Sequence, residues 1–298
     1  SNLLKFINLK KYCKLSLVDL KLCYVHLKPI LTLFASSVAV MIYVYSDTTM
    51  LGLMKGDYEV GIYSVSTKIY TIMKSMLSSV IIVSIPRVSL YYGTNQTQKF
   101  NNTVQKIYDT LMVLVIPIVL GIFILSERIV VFISGKEYLR SISSLRILSI
   151  ALIFCISGWI FNQCILLPSG KEKIILKATA YSAGLNIGLN FILIPYMSEN
   201  ATAFTTVVSE AVMMIICVHY GSKISEVKVL NRNILTSVFA CIGMTSVCVI
   251  LNKFFSEIFN IQVIIVIVLI SAIVYGVLLL LMKNEILWDI VRKIMRRE

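Results

Sequence analysis

Eight apolar runs constrain this chain more than any other feature of its sequence. A helix that crosses a bilayer needs about 20 mostly apolar residues, and each run is close to or above that length. The sequence therefore predicts an all-α fold, a polytopic membrane helix bundle of about eight transmembrane helices. The runs lie at 30–53, 61–85, 107–125, 145–167, 174–194, 201–220, 234–251 and 261–282.

Composition excludes a soluble protein. Of the 298 residues, 58% are hydrophobic and 14% are charged, with a mean hydropathy of +0.86, whereas soluble domains are about 45–50% apolar and about 25% charged. The loops leave no room for a soluble catalytic domain, and the chain carries no P-loop, G-x-S-x-G or H-E-x-x-H motif. His26 and His219 stand alone, so no metal site is predicted. No catalytic residue and no cofactor are predicted, and the seven cysteines are expected to be free thiols, mostly buried.

Prolines predict several helix boundaries. A proline removes a backbone N–H donor and disfavours a helical conformation in the residue before it. We expect Pro29 to mark the first entry into the membrane, and Pro86, Pro168 and Pro195 to follow the second, fourth and fifth runs. Pro117 lies inside the third run and predicts a kink there.

The net charge of +13 reports orientation in the membrane rather than nucleic-acid binding. Lys and Arg concentrate in loops that stay in the cytoplasm. The segments on the side of the two ends carry 20 of the 28 positive residues, and the opposite loops carry six. This asymmetry predicts that both ends of the chain are cytoplasmic. The opposite loop at 126–144, with four positive residues up to Arg146, fits least well.

The second run carries polar side chains along one helix face. At 100° per residue they fall within an arc of about 140°, opposite an apolar side. A lysine at the centre of a membrane helix costs about 2.5–3.5 kcal/mol, so this face is expected to line water or protein. We interpret it as a cationic cavity wall for an anionic substrate; pairing with a carboxylate elsewhere is the structural alternative. The polar face comprises Ser64, Thr67, Lys68, Thr71, Lys74, Ser75, Ser78 and Ser79.

Two carboxylates are candidates for ion coupling. Glu210 lies in the middle of the run at 201–220, about 15 Å from either end, and an acid at that depth is a functional candidate. It could titrate as a coupling group or simply pair with Lys74. Asp47 ends a weaker polar stripe near the outer end of the first span, where a solvated helix end is the alternative.

The fourth and fifth runs carry further polar groups. Gly184-x-x-x-Gly188 allows close helix approach, and Asn186 and Asn190 allow interhelical hydrogen bonds, so packing is the preferred interpretation. Asn190 could also reach a sugar, and Trp159 could stack on a sugar ring or face lipid.

An ordered series of motifs resembles the oligosaccharide flippases, the Wzx-like members of the multidrug/oligosaccharidyl-lipid/polysaccharide exporter superfamily. The similarity spans roughly residues 25–222. Its elements are Ser46 to Gly52, Val60 to Ser64, Lys68-Ile69, Ile85 to Ser89, Ile116 to Ile118 with Gly121, Ser134 to Tyr138, Arg146 to Ser149, Gly170 to Lys173, Asn186 and Asn190 before Pro195, and Ala201 to Glu210.

The resemblance implies a division of the chain and a function. Residues 1–28 would be a basic amphipathic cytoplasmic linker, 29–222 the six-helix C-terminal lobe, and 223–298 two further spans with a basic tail. Members of the family have two six-helix lobes around a cavity, so a preceding N-terminal lobe would be missing from this chain.

The implied activity is export of an undecaprenyl-diphosphate-linked oligosaccharide repeat unit across the bacterial inner membrane by alternating access. Lys68, Lys74, Thr71, Ser75 and Asn190 would bind substrate. Membrane lipids, a polysaccharide polymerase and glycosyltransferases would be partners, and no nucleic acid would bind.

Three other classes remain open from the residues alone. A membrane polysaccharide polymerase would carry a larger outer loop than the longest one here, of about 20 residues. A cation-coupled drug exporter of the same superfamily would have an acid-lined cavity, whereas the clearest polar face here is rich in lysine. A purely structural subunit would favour an entirely apolar second span.

Overall fold

The computed structural model describes residues 45–255 and 260–295, and every regular element in that part of the chain is helical. Residues 45–55 are helical. They are followed by α1 (Asp57–Gly93), α2 (Thr97–Ser134), a short 3-10 turn (Lys136–Tyr138), α3 (Ser141–Ile160) with a π-helical turn (Phe161–Leu166), α4 (Glu172–Met197), α5 (Glu199–Gly221), α6 (Arg232–Phe254), α7 (Ile261–Leu281) and α8 (Glu285–Met295). The predicted all-α bundle is confirmed.

Six helices within the described ranges are long and apolar enough to cross a membrane. They are α1, α2, α3 with its π turn, α5, α6 and α7. The fifth predicted span is α4, which has 26 residues, about 39 Å, but is not among the six. Its two buried asparagines, Asn186 and Asn190, lower its hydropathy. Most of the first predicted span, 30–53, lies outside the described residues, as do the linker at 1–28 and Pro29.

Two proline boundaries were wrong. Pro86 lies inside α1, which runs on to Gly93, and Pro195 lies inside the last turn of α4. Tertiary packing holds the end of α1 in place: Val88 is fully buried, and the ring of Tyr92 lies 5.3 Å from that of Phe100 on α2. The actual break before α1 comes at Gly56, whose φ of 94° favours glycine.

One large apolar core joins α1, α2, α3 and α5, with fully buried side chains such as Leu111, Leu152 and Phe161. Two smaller clusters lie where α6 and α7 pack against α2, one around Met244 and the other around Ile267. The five cysteines of the described part are free and buried, as predicted; Cys13 and Cys23 lie outside it. The division at residues 222 and 223 stays a prediction; α6 and α7 pack on α2 through apolar clusters separate from the large core.

Polar contacts fasten α6 and α7 to α2 at three levels. At one end, Arg128 donates to the backbone carbonyls of Asn252 and Phe255 at 2.8 and 2.6 Å. Midway, the Tyr275 hydroxyl donates to the carbonyl of Val113 at 2.7 Å. At the other end, the buried carboxylate of Asp109 accepts hydrogen bonds from Asn231 and Asn233, at 2.6 and 3.0 Å, and from Gln105 at 2.8 Å.

Candidate functional site

The residues that the structure describes leave the polar face of α1 largely uncovered. Lys68, Thr71, Ser75 and Ser79 are exposed, while Ser78 is buried. The side chains of Val65, Ile69, Leu77 and Ile81 turn into the core. The uncovered surface is wider than the predicted arc, because Ile72, Met76 and Val80 are exposed as well. The six-helix packing therefore leaves α1 with a mixed face of lysine, hydroxyl and apolar groups.

Lys74 and Glu210 form an ion pair between α1 and α5. The Lys74 Nζ lies 3.3 Å from the Glu210 Oε1, and the two side chains are 33% and 23% exposed. The Tyr70 hydroxyl donates to the same oxygen at 3.4 Å. The rings of Tyr70 and Trp159 lie 5.7 and 5.9 Å from the ammonium, within the range of a cation–π contact. The pairing of Glu210 with Lys74 that the sequence left open is thus formed.

Asp47 is the centre of a second polar cluster. Its carboxylate accepts hydrogen bonds from the Asn190 amide at 2.8 Å and from the Thr206 hydroxyl at 2.9 Å. The Tyr63 hydroxyl donates to it at 3.4 Å. The side chain is therefore engaged by α1, α4 and α5 together. A freely solvated helix end, the alternative weighed for Asp47, does not describe this environment.

Asn190 is 0% exposed, and both ends of its amide are engaged. Its Nδ2 also donates to Asn186 at 3.1 Å, and its Oδ1 accepts from Thr205 at 2.7 Å. A sugar could reach Asn190 only if this cluster opened, so its substrate role stays a prediction. The interhelical bonding expected of Asn190 is present.

The small-residue motif on α4 faces away from these asparagines. Gly184 and Gly188 are exposed, and a Cβ added to either would meet no atom within 4 Å. The close helix approach expected there was therefore wrong for the described part of the chain, because the buried face of α4 is the one that carries Ser182, Asn186 and Asn190.

The two clusters are neighbours. Tyr63 and Tyr70 are two turns apart on α1, and Thr206 and Glu210 are one turn apart on α5, which places the clusters about 6–10 Å apart along the helices. The fold thus brings Lys74 to Glu210, and Asp47 to Asn190. Lys68, Thr71 and Ser75 lie instead on the uncovered surface of α1.

Sequence reasoning missed a charged cluster at one end of the bundle. Arg140 donates to both Glu59 oxygens at 3.1 and 3.0 Å and to both Glu199 oxygens at 3.1 and 2.9 Å. The hydrogen bond to Glu59 raises the pKa of the Arg140 guanidinium, with the negative charges of Glu199 and Glu59 adding to the effect, while partial burial opposes it. The cluster ties together α1, α5 and the turn before α3.

A signal for this cluster was present in the sequence. Arg140 belongs to the loop that fitted the positive-inside rule least well, and the structure shows that several of these positive groups have protein partners. Arg146 donates to Ser126 at 2.8 Å, Arg128 binds backbone carbonyls, and Lys55 donates to the carbonyl of Pro195 at 2.8 Å. Cations that are neutralised or hydrogen-bonded within the protein are weak evidence about orientation.

The fold and these polar centres can be compared with known proteins. Residues 19–143 match the family model described as polysaccharide biosynthesis protein. The chain is 26% identical over 193 residues to Agl15 of Haloferax volcanii, a probable low-salt glycan biosynthesis flippase, covering 65% of this chain and 41% of that protein. It is 26% identical over 170 residues to the capsular polysaccharide biosynthesis protein CapF of Staphylococcus aureus, covering 57% and 42%.

The chain is similar to proteins named for polysaccharide biosynthesis and for flipping. It is also 24% identical over 206 residues to a Shigella dysenteriae protein named as an O-antigen transporter, covering 69% of this chain and 51% of that one. The chain thus spans about two fifths to one half of the length of these relatives. Its fold matches the lipid II flippase MurJ in an inward closed conformation, with a TM-score of 0.70 at 16% identity, over 96% of this chain and 59% of that one. The flippase relatives and the apolar helices agree on a multi-pass membrane protein.

Proposed function

We propose that this chain forms the C-terminal lobe of a flippase that moves undecaprenyl-diphosphate-linked oligosaccharides from the inner to the outer leaflet of a bacterial cytoplasmic membrane by alternating access. The observation that carries the proposal is the uncovered polar face of α1. A lysine and several hydroxyls on an apolar, membrane-length helix are costly against lipid, so they are better placed along a passage that admits a polar substrate.

The chemistry of this face suits a diphosphate and a glycan. The exposed Lys68 supplies a positive charge for a phosphate oxygen, and Lys74 lies at the other edge of the arc. The hydroxyls of Thr71 and Ser75 can donate to phosphate or sugar oxygens. Apolar neighbours on the same surface, Ile72 and Met76, suit the polyprenyl part of the lipid or the lipid-facing edge of the passage.

Asp47 and Glu210 remain the candidates for ion coupling. Asp47 is the stronger, because its carboxylate connects three helices and accepts hydrogen bonds from an amide and two hydroxyls. Protonation of Asp47, or its occupation by a cation, would change which of these donors it holds, and so could bias the packing of α1, α4 and α5. An ion gradient could then act on helix positions.

A second lobe would complete the cavity, and membrane lipids, a polysaccharide polymerase and glycosyltransferases would be partners. Both ends of the chain would be cytoplasmic, as the 20 to 6 distribution of positive residues predicts. The relatives are named for flipping, transport and polysaccharide biosynthesis. We accordingly propose transport without a covalent reaction, and therefore no enzymatic activity.

The test uses the complete protein in a host that lacks its own flippase. Replacing both Lys68 and Lys74 by Ala removes the positive charge of the face, and we expect surface polysaccharide to fall at least tenfold while protein levels in the membrane stay normal. Lys253→Ala removes an exposed lysine near the end of α6 and should leave the polysaccharide unchanged. Normal polysaccharide in the double variant would rule out the proposed role of this face.

A further inference from the structure

The ion pair between Lys74 and Glu210 is loose and accessible. Its separation of 3.3 Å exceeds the roughly 2.7–2.9 Å of a strong N⁺–H···O⁻ bond. An ammonium can donate three hydrogen bonds, and within the described residues Glu210 is the carboxylate that pairs with it. Both side chains are partly exposed. Lys74 therefore retains room and donors for a second anion.

The surroundings hold the ammonium in place whichever anion it meets. The rings of Tyr70 and Trp159 flank it through cation–π contacts, and those contacts do not depend on Glu210. The carboxylate is less firmly held, since within the described part of the chain its hydrogen bonds come from the ammonium and the Tyr70 hydroxyl, both at the same oxygen and both beyond 3.2 Å. The geometry thus favours movement of Glu210 away from a fixed Lys74.

The charged and titratable groups around Glu210 come from each neighbouring helix. From α1 they are Lys74 and Tyr70, from α3 Cys155, and on its own helix Cys217. Asp47 is held by Thr206, one turn away on α5. From α4, the Ser182 hydroxyl donates to the carbonyl of Ser209, the residue before Glu210. Among these groups, Lys74 carries the positive charge that faces Glu210.

We propose that Lys74 and Glu210 are an exchange pair: the phosphate of the substrate displaces the Glu210 carboxylate from Lys74, and Glu210 takes up one proton. This inference rests on the proposed function. The step balances, because one ammonium–carboxylate pair, one phosphate anion and one proton become one ammonium–phosphate pair and one neutral carboxylic acid. No covalent bond to carbon or phosphorus changes.

Charge arithmetic supports the exchange. A diphosphate esterified at both ends carries two negative charges. Lys68 and Lys74 together supply two positive charges, but with Glu210 ionised the face carries only one net positive charge. Protonating Glu210 restores the match. In the empty protein the same carboxylate neutralises Lys74.

The proton in this step sets the affinity of the site and does not supply the driving force. A proton that leaves the cell together with the substrate moves against the usual proton gradient of a bacterial membrane. The role of Glu210 is therefore to compete with the substrate for Lys74, and ion coupling is left to Asp47. The two carboxylates that the sequence identified as candidates for ion coupling thus have different roles.

Titration calorimetry of the complete protein in lipid nanodiscs tests the exchange. The probe is farnesyl diphosphate esterified by a sugar at its second phosphate, a diester with two negative charges and no ionisation of its own near neutral pH. Its binding is measured in two buffers of different ionisation enthalpy, which yields the number of protons taken up per molecule bound. We expect uptake by the wild-type protein and an affinity that rises by up to tenfold for each pH unit lowered, the limit for linkage to one proton. Glu210→Gln should bind at least as tightly as the wild type at low pH, take up about one proton fewer and lose this pH dependence.

The exposed Glu226 provides the matched control, and Glu226→Gln should behave as the wild type. Unchanged proton uptake in Glu210→Gln, or probe binding weakened tenfold at every pH in a variant that elutes as a folded protein, would overturn the exchange. If Glu210→Gln does not fold, a wild-type affinity that is independent of pH overturns it instead. Failure of the proposed function looks different: neither protein binds the probe, and the double lysine variant still exports polysaccharide.

Discussion

At the scale of single residues, depth in the membrane identified the functional candidates but not their partners. Position along the helix predicted that Glu210 lies deep in the membrane, whereas its contact with Lys74 depends on how α1 and α5 pack. Asn190 shows the same limit. Helical periodicity placed it among polar residues of α4, but only the fold brings it to Asp47, a residue 143 positions away in sequence.

Asp47→Asn tests the cluster around Asp47. The substitution removes a charged acceptor from three donors, and a buried donor left without its partner costs about 1–3 kcal/mol. We expect the thermal unfolding midpoint of the complete protein in detergent to fall by several degrees. Asp57→Asn, at an exposed position at the start of α1, should leave it unchanged. Equal midpoints for the two variants would contradict the account of Asp47 as an interhelical connection.

At the scale of helices, most spans could be predicted because long apolar runs have few other stable arrangements in a bilayer. Helix ends were harder. Pro86 was expected to end α1, yet packing of Val88 and contact between Tyr92 and Phe100 hold about two more turns together. The Arg140 cluster could not be assembled from the sequence for a different reason, since its two acids lie in the first turns of α1 and α5, which only the fold brings together.

The π-helical turn at the end of α3 is closely packed against α5. A Cβ added at Gly221 would lie 2.6 Å from the Cδ1 atom of Phe161, whose side chain is fully buried. We expect Gly221→Ala to destabilise the protein by about 1–3 kcal/mol through overpacking, measured by thermal unfolding. Gly276→Ala on α7, where a Cβ meets no atom within 4 Å, is the control. A Gly221→Ala protein as stable as that control would show that the turn is loosely packed.

Tyr275 connects α7 to α2 and α6. Its hydroxyl contacts Ser237 at 2.6 Å as well as the Val113 carbonyl, so Tyr275→Phe leaves two buried polar groups short of a partner. We expect a loss of about 1–3 kcal/mol, seen as faster proteolysis between α5 and α6 in detergent. Tyr181→Phe on the exposed face of α4 should change nothing. Identical proteolysis of both variants would mean that apolar contacts alone hold α7 in place.

At the scale of the whole molecule, the described residues combine six helices long and apolar enough to cross a membrane with a polar face of α1 that they leave uncovered. The bundle buries its interhelical polar groups around Asp47 and Asp109, but it leaves Lys68, Thr71 and Ser75 outside its own core. Such a face is costly against lipid. We therefore predict that this face borders a water-accessible passage.

Cysteine accessibility in intact membranes tests that prediction most directly. In the complete protein with its native cysteines replaced, Thr71→Cys and Ser75→Cys are treated with a charged, membrane-impermeant thiol reagent and compared with Ile273→Cys. Ile273 is 64% exposed on the apolar surface of α7, where we expect lipid. The account predicts that the two α1 cysteines react at least tenfold faster than the α7 cysteine and are protected by farnesyl diphosphate. Cysteines at positions 71 and 75 that react as slowly as the one at 273 would contradict it.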